Sequence, residues 1–105
     1  MIRVSILYPN EQGAWFDLGY YLDTHLPMAL EKLGSAVKGV SVDHGLSAGS
    51  QGPRPPFFAI CHFVAESPEA YQEALEPHRE ALGRDIENYT NVQPLIQVSE
   101  IRLSR

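Results

Sequence analysis

The sequence predicts an α+β fold of the ferredoxin-like type, with the order β-α-β-β-α-β and a four-stranded antiparallel sheet. Four segments have the alternation or the branched and aromatic composition of strands. Helical spacing separates the first from the second and the third from the fourth. The chain has 105 residues, which suits one compact domain and not two, so residues 1–105 are treated as a single domain.

The first strand and the first helix differ in hydrophobic period. Residues 2–8 alternate between apolar and mixed positions, which predicts a strand. From Trp15 to Leu33 apolar residues recur at helical spacing, and Gly34 supplies a stop. The stripe that this helix is expected to bury comprises Trp15, Leu18, Leu22, Leu26, Ala29 and Leu33.

Three further segments predict strands. Residues 37–45 and 57–64 are rich in branched and aromatic residues, and a Gly/Ser/Pro-rich loop separates them. The last strand is expected over residues 92–103. Pro94 should lie near its start or on an edge, because proline has no N–H to give to a sheet ladder.

Two short helices are predicted between the third and the last strand. Ser67 is a suitable N-cap and Pro68 a suitable first helical residue, for a helix that reaches about residue 75. Pro77 breaks that helix and begins another, which ends near Arg84.

The predicted strands each have a nearly pure apolar face and a face that carries polar groups. The pure face is expected to pack against the helices. The mixed face is too apolar for open water, so we expect a second copy of the sheet to cover it and enclose a cavity. This predicts a homodimer, or a higher oligomer built from dimers. The polar residues on the mixed face are Ser5, Ser41, His62, Gln97 and Ser99.

Composition argues against several classes of function. The formal net charge is -5 and the eight Lys and Arg residues are scattered, which disfavours a nucleic-acid partner. No apolar stretch approaches the ~18 residues of a membrane span. A single cysteine, Cys61, and the lack of a signal-peptide pattern predict a cytoplasmic protein. No ligand spacing predicts a metal site, and no motif predicts a cofactor.

Tyr21 and His25 are the predicted catalytic residues. They lie one helical turn apart beside the apolar stripe. Pro27 interrupts the helix just beyond them, at a cost of about 3 kcal/mol that calls for a functional explanation. An imidazole can act as acid or base, and a neighbouring phenol can polarise a carbonyl. The alternative is that His25 closes the helix edge through a bond to backbone or to an acid.

Five residues are predicted to bind a ligand. His62 faces the proposed cavity, or is a core histidine bonded to a neighbouring strand or water. Asp85 can orient a histidine or cap its turn. Trp15 and Phe16 begin an aromatic cluster that forms either a stacking wall for an aromatic substrate or part of the core. Tyr89 can line the mouth of the cavity or pack over the end of the barrel.

The chain resembles the EthD family, small proteins named after a component of an ethyl tert-butyl ether degradation cluster. The resemblance rests on MIRVSILYPN, FDLGYYLDTHLPM, KGVSVDHGL and DIENYTNVQPLIQVSEI, and covers nearly the whole chain. Its most specific part is the Tyr-x-x-x-His-x-Pro element of Tyr21, His25 and Pro27. It implies a dimeric α+β barrel. The wider superfamily includes cofactor-free monooxygenases, lactone isomerases, polyketide cyclases and haem-handling enzymes, so no single reaction is implied.

Three functional hypotheses remain open. The first is a cofactor-independent enzyme for proton transfer or oxygenation of a small hydrophobic or aromatic, oxygenated molecule. In it His25 is the acid/base, Tyr21 lies at the carbonyl and His62 is a polar group in the cavity. The second is a non-catalytic binding or accessory protein of a degradation or biosynthetic pathway. The third is a haem-associated protein with His25 or His62 as the axial ligand.

Overall fold

The four strands form one antiparallel sheet. The computed structural model describes residues 1–105. Its strands are β1 (Ile2–Pro9), β2 (Gly39–His44), β3 (Phe57–Ala65) and β4 (Leu95–Glu100), in the order β2-β3-β1-β4. Helices connect β1 to β2 and β3 to β4 and pack on one face of the sheet, which confirms the predicted ferredoxin-like α+β fold.

The last strand is shorter than the predicted 92–103. It begins at Leu95, after Pro94, which cannot donate to the ladder. It ends at Glu100 because its partner strand runs out there: Glu100 pairs with Ile2, the first residue of β1. The strand over 37–45 is also shorter at both ends.

The first helix has three continuous segments. They are α1 (Leu18–Tyr20), a π-helical turn (Tyr21–His25) and α2 (Leu26–Leu33). The predicted start at Trp15 is wrong, because the Asp17 carboxylate caps the helix by accepting a hydrogen bond from the Tyr20 N–H at 3.0 Å. The predicted end is confirmed: Gly34 adopts a φ of 59°, which favours glycine.

Because of the π turn, the helix buries different residues from the predicted apolar stripe. The Leu26 N–H bonds to the Tyr21 carbonyl five residues back, so this turn holds one residue more than an α-turn. Pro27 follows at once; its ring would crowd the preceding turn of a regular helix, and a wider turn relieves that crowding. The inserted residue rotates the first half of the helix. Leu22, the predicted centre of the stripe, is 42% exposed, and Tyr21 and His25 are buried instead.

The second helical region begins as predicted. In α3 (Pro68–Leu75) the Ser67 hydroxyl accepts a hydrogen bond from the Ala70 N–H at 3.1 Å. Pro77 lies in a 3₁₀ turn (Glu76–His78), after which come α4 (Arg79–Asp85) and a second 3₁₀ turn (Ile86–Asn88). None of the helices has both the length and the apolar character that crossing a bilayer requires.

As predicted, alternate residues along each strand face either the helices or the opposite side of the sheet, which is called the open face. Val4 pairs with Phe63 and Ile6 with Cys61, on the face that the helices cover. Ser5 pairs with His62 on the opposite face, which no helix covers. The buried core therefore lies between the helical layer and one face of the sheet. No side-chain nitrogen or oxygen atom is buried without a hydrogen-bond partner.

Candidate functional site

A cavity of about 160 Å³ lies inside the fold, between the helical layer and the sheet. Of its 17 lining residues 13 are hydrophobic, so the few polar groups determine how a ligand can be oriented. Small-molecule sites typically combine an apolar wall with a few convergent polar groups in this way. The lining residues whose side chains carry polar atoms are Tyr8, Tyr21, His25, Tyr71, Arg79 and Tyr89.

His25 is anchored by a carboxylate from the other helical region. Its Nδ1 atom lies 2.8 Å from Oδ2 of Asp85, and both side chains are mostly buried. The π turn presents His25 to the core, while Asp85 is the last residue of α4. The pair thus joins two helices that are remote in sequence.

Three hydrogen bonds fix the Asp85 carboxylate. Oδ1 accepts from the Tyr20 hydroxyl at 2.7 Å and from the Asn88 side-chain amide at 2.9 Å, while Oδ2 faces His25. Partial burial acts to raise the pKa of Asp85, but the hydrogen bonds from Tyr20, Asn88 and His25 outweigh it and lower the pKa. Asp85 is therefore a carboxylate near neutral pH and can only accept protons in these bonds.

This arrangement selects the tautomer of neutral His25. Because the carboxylate accepts, the ring proton lies on Nδ1 and the lone pair on Nε2. Nε2 has no hydrogen-bond partner in the chain and is not sealed from solvent. Since His25 lines the cavity, Nε2 is available there as a base.

Aromatic rings surround the imidazole. The Tyr21 ring lies nearly parallel to it, with centroids 5.6 Å apart and planes at 18°. The Tyr89 ring is closer, with centroids 4.6 Å apart. The Tyr89 hydroxyl shares a hydrogen bond of 2.8 Å with the Tyr8 hydroxyl. These contacts place phenol groups beside the histidine.

The phenols of the cavity stay protonated. Burial raises the pKa of Tyr8, Tyr21 and Tyr89, and it raises the pKa of Tyr71 to about 12. Neutral phenols are hydrogen-bond donors, so the cavity can stabilise oxygen atoms that gain negative charge. The site thus combines one base with several neutral donors.

Comparison with known proteins decides the family. A model of the EthD domain matches residues 16–93. The chain belongs to the EthD family. This confirms the resemblance carried by the Tyr21, His25 and Pro27 element. No curated protein matches the sequence.

Solved structures agree with the EthD assignment. An EthD-like protein from Ralstonia eutropha JMP134 is 39% identical, with a TM-score of 0.93 over 99% of this chain and 94% of that one. An EthD family protein from Bacillus halodurans C-125 is 18% identical, with a TM-score of 0.74 over 96% and 98%. A dimeric ferredoxin-like protein from an uncultured marine organism shares the fold, at 11% identity and a TM-score of 0.56 over 99% and 96%.

In this EthD-family chain, four of the predicted site residues meet at the cavity. Tyr21, His25 and Tyr89 line it. Asp85 lies behind His25 and also accepts a hydrogen bond from Asn88 three residues on, so it both orients the histidine and bonds within its own turn.

Trp15 and Phe16 lie outside the cavity wall. Trp15 is 46% exposed, because it precedes the Asp17 cap, and its backbone N–H is bonded to the Asn91 side chain at 2.9 Å. Phe16 packs against the aromatic rings behind the wall, with centroids 5.0 Å from Tyr8. Of the predicted aromatic cluster, Tyr21 lines the cavity and these two side chains do not.

His62 does not share a cavity with His25, contrary to expectation. Alternation along β3 places it on the open face, whereas the helix that carries His25 packs on the other face. Its Nδ1 lies 2.8 Å from the Ser5 hydroxyl, and its Nε2 lies 3.6 Å from Asp43. One ring nitrogen of His62 is thus hydrogen-bonded to β1, and the other has an ion-pair contact with β2.

Sequence reasoning did not identify four polar residues of the site. Tyr8, Tyr71 and Arg79 line the cavity, and Tyr20 donates a hydrogen bond to Asp85. Tyr8 had a usable signal, since it shares the alternation of Ile2, Val4 and Ile6 and so faces the helices. The others depend on how two remote helices meet. No group of three or more His, Cys, Asp or Glu side chains is placed to hold a metal ion.

Proposed function

We propose that this EthD-family protein catalyses cofactor-independent proton transfer on a small hydrophobic or aromatic molecule that carries a carbonyl oxygen. One observation carries the proposal: Asp85 holds Nδ1 of His25 at 2.8 Å and leaves Nε2 free at an apolar cavity. A histidine whose Nδ1 is held by a carboxylate is oriented to act as a general base through Nε2.

The proposed step moves one proton. Nε2 of His25 takes a proton from the carbon beside the carbonyl, and the C–H electron pair forms a carbon–carbon double bond. The carbonyl π electrons move to its oxygen and give an enolate. The Asp85 carboxylate stabilises the imidazolium that forms, across the same 2.8 Å contact. Return of the proton from the imidazolium to another carbon gives an isomer. Attack of the carbanion on an internal carbonyl closes a ring, and the imidazolium then returns its proton to the alkoxide that forms.

The neutral phenols supply the second half of the chemistry. An enolate oxygen needs hydrogen-bond donors, and donors fixed in an apolar site stabilise developing charge without reorganising. The Tyr21 ring stacks on the His25 ring. Burial raises the pKa of Tyr21, so its hydroxyl stays protonated and can donate a hydrogen bond. We assign Tyr21 to the carbonyl oxygen, with Tyr89 and its partner Tyr8 as the neighbouring donor pair.

Oxygenation is the related alternative within this proposal. An enolate formed by His25 is electron-rich and can reduce dioxygen, which must then be supplied as a co-substrate. Oxygenation would use the same base, His25, and the same phenol donors of the cavity. Isomerisation, cyclisation and oxygenation therefore share their first step, and that step is what the residues support.

A haem site fits these residues poorly. The cavity at His25 measures about 160 Å³, which is small for a porphyrin. The ring nitrogens of His62 face Ser5 and Asp43 on an open sheet surface. We therefore retain a non-catalytic binding or accessory role as the alternative function, since it would use the same cavity.

We further propose that the protein is a homodimer that pairs through the open face of the sheet. Leu7 and Ile60 are half-buried there, and Leu95 is 56% exposed. Such a face is too apolar to remain in water. Native mass spectrometry should give a dimer, and Leu95→Glu should give monomers. A monomeric wild-type protein at micromolar concentration would contradict this assembly.

Proton exchange tests the catalytic proposal. The wild-type protein is incubated in deuterium oxide with 2-tetralone or 1-indanone, and loss of the proton signals beside the carbonyl is followed by NMR. His25→Asn should slow the exchange by roughly 10²-fold or more. His44→Asn, an exposed histidine at the end of β2, is the matched control and should leave the rate unchanged. Equal rates in the two variants would overturn the proposal, and binding without exchange would favour the accessory role.

A further inference from the structure

We infer that the substrate carries an acidic group, such as a carboxylate, which Arg79 and Tyr71 bind at the end of the cavity away from the His25–Asp85 pair. This inference rests on the proposed function and deepens it, since it names a substrate class for the same site. It starts from the asymmetry of the cavity: Arg79 is the one cationic side chain among its lining residues that is charged at every physiological pH.

One face of α4 and the first residue after it line the cavity. The residues are Arg79, Leu82 and Gly83 of α4 and Ile86 of the following 3₁₀ turn, at the spacing i, i+3, i+4 and i+7 that defines one side of a helix. Asp85 ends the same helix, six residues after Arg79. At 1.5 Å per residue the two positions are about 9 Å apart along the helix axis. His25 and Arg79 both line this largely apolar cavity, and Asp85, which holds His25 from behind, is separated from Arg79 by the length of α4.

The Arg79 side chain is held in place with donors to spare. Its Nε donates to the Glu76 carboxylate at 3.2 Å and its Nη2 donates to the Gln72 side-chain oxygen at 2.9 Å. Nη1 makes no hydrogen bond within the chain. The ion pair between Arg79 and Glu76 is exposed to solvent, and exposed ion pairs are weak interactions. Arg79 is thus oriented by its neighbours without losing its capacity to bind an anion.

Tyr71 adds a neutral donor beside this cation. It lines the cavity, is buried, and its hydroxyl makes no hydrogen bond within the chain. Arg79 lines the same cavity, and its Nη2 donates to Gln72, the residue next to Tyr71 in α3. A phenol and a guanidinium together suit the two oxygens of a carboxylate, because bonds to a charged acceptor are the strong ones.

The same asymmetry would orient the substrate. An acidic group at the other end would approach the Asp85 carboxylate, and like charges repel. The acidic group therefore lies at Arg79, and the carbon that loses its proton lies at His25. A small apolar molecule with an acidic group at one end and an enolisable carbonyl at the other has the required polarity.

A matched pair of probes tests this inference. 2-Naphthoate and 2-naphthamide have nearly the same shape and differ in charge, and their binding is measured by isothermal titration calorimetry at low ionic strength. The wild-type protein should bind 2-naphthoate roughly 10-fold more tightly than 2-naphthamide, because a carboxylate accepts stronger hydrogen bonds from a guanidinium than a neutral amide does. Arg79→Gln should remove that preference and leave the affinity for 2-naphthamide unchanged.

Arg84→Gln is the control. Arg84 lies on the same helix, is exposed, contacts Glu80 at 3.5 Å and does not line the cavity, so its loss should preserve the preference. Equal affinity of the wild type for both probes, equal effects of the two arginine variants, or no binding of either probe at millimolar concentration would overturn the inference. His25→Asn should retain the preference for 2-naphthoate while abolishing proton exchange, so failure of the base and failure of the anion site are separately visible.

Discussion

His25 and Asp85 are 60 residues apart in sequence, yet Nδ1 of one lies 2.8 Å from Oδ2 of the other. The contact ties the π turn of the first helix to the end of α4 at one side of the cavity. Because the carboxylate is itself held by Tyr20 and Asn88, the imidazole is fixed in orientation as well as in tautomer. Several consequences of this relationship can be measured.

Removal of the Asp85 charge should impair catalysis more than binding. In Asp85→Asn the amide no longer holds the Nδ1 proton as an anion does, and it does not stabilise the imidazolium. We expect the ketone proton-exchange rate to fall roughly 10²-fold, with the affinity for 2-naphthamide nearly unchanged. Asp23→Asn, an exposed carboxylate in the same π turn as His25, is the control. Equal exchange rates for the two variants would contradict a role of Asp85 in orienting the base.

The stability of the protein should decline in acid partly through Asp85. The folded-state pKa of Asp85 is lowered from 3.8, so its contribution to folding is fully present above pH 3.8. That contribution is lost as the pH falls further, through the folded-state pKa, when the folded carboxyl takes up its proton. Urea unfolding measured at pH 6, 4 and 3 should show a smaller loss of free energy in Asp85→Asn than in the wild type. An identical pH profile in both would contradict the lowered pKa.

The π turn predicts opposite effects for two leucines of the first helix. Leu26 is buried in the core, so Leu26→Ala should cost about 2–5 kcal/mol of unfolding free energy. Leu22 is 42% exposed, so Leu22→Ala should cost less than about 1 kcal/mol. Equilibrium urea unfolding measures both. Similar losses for the two variants would mean that the helix presents the regular α-helical face and not the rotated one.

The buried Cys61 thiol should react slowly with thiol-specific reagents. Its ionisation should also lower the stability of the fold at alkaline pH. Burial raises its pKa from 9.0 to about 11, so at pH 8 the native thiol should resist a thiol-specific reagent that labels the unfolded chain at once. The stabilising contribution is present below pH 9.0 and is lost as the pH rises through 11. Cys61→Ala should therefore show a shallower loss of stability over that range. Rapid labelling of the native protein would contradict the burial of the thiol.

Much of the fold follows from hydrophobic periods along the chain. The alternation of Ile2, Val4 and Ile6 placed the helices on the correct face of the sheet, and the same alternation placed His62 on the other. Short-range signals such as Ser67 before Pro68 also marked a helix start correctly, because capping depends on neighbouring residues alone.

The candidate site was harder to predict, for two physical reasons. A π turn inserts one residue without changing the sequence pattern, so the apolar spacing pointed to Leu22 where the structure buries Tyr21. Contacts between remote elements have no local signal: the bond from Tyr20 to Asp85 and the approach of Arg79 to the cavity depend on how two helices pack. The sequence could therefore propose His25 as a base and leave Asp85 as one of two options.

The central claim is that Asp85 holds a proton on Nδ1 of His25 and leaves Nε2 as the base in the cavity. The direct measurement is ¹⁵N NMR of the histidine side chains in the wild-type protein, in mildly alkaline buffer, with His25→Asn to assign the signals. We predict that the proton of neutral His25 resides on Nδ1, that Nε2 has the shift of an unprotonated nitrogen, and that this signal moves when 2-naphthoate is added. A proton on Nε2, or an Nε2 signal that does not respond to the ligand, would contradict the account.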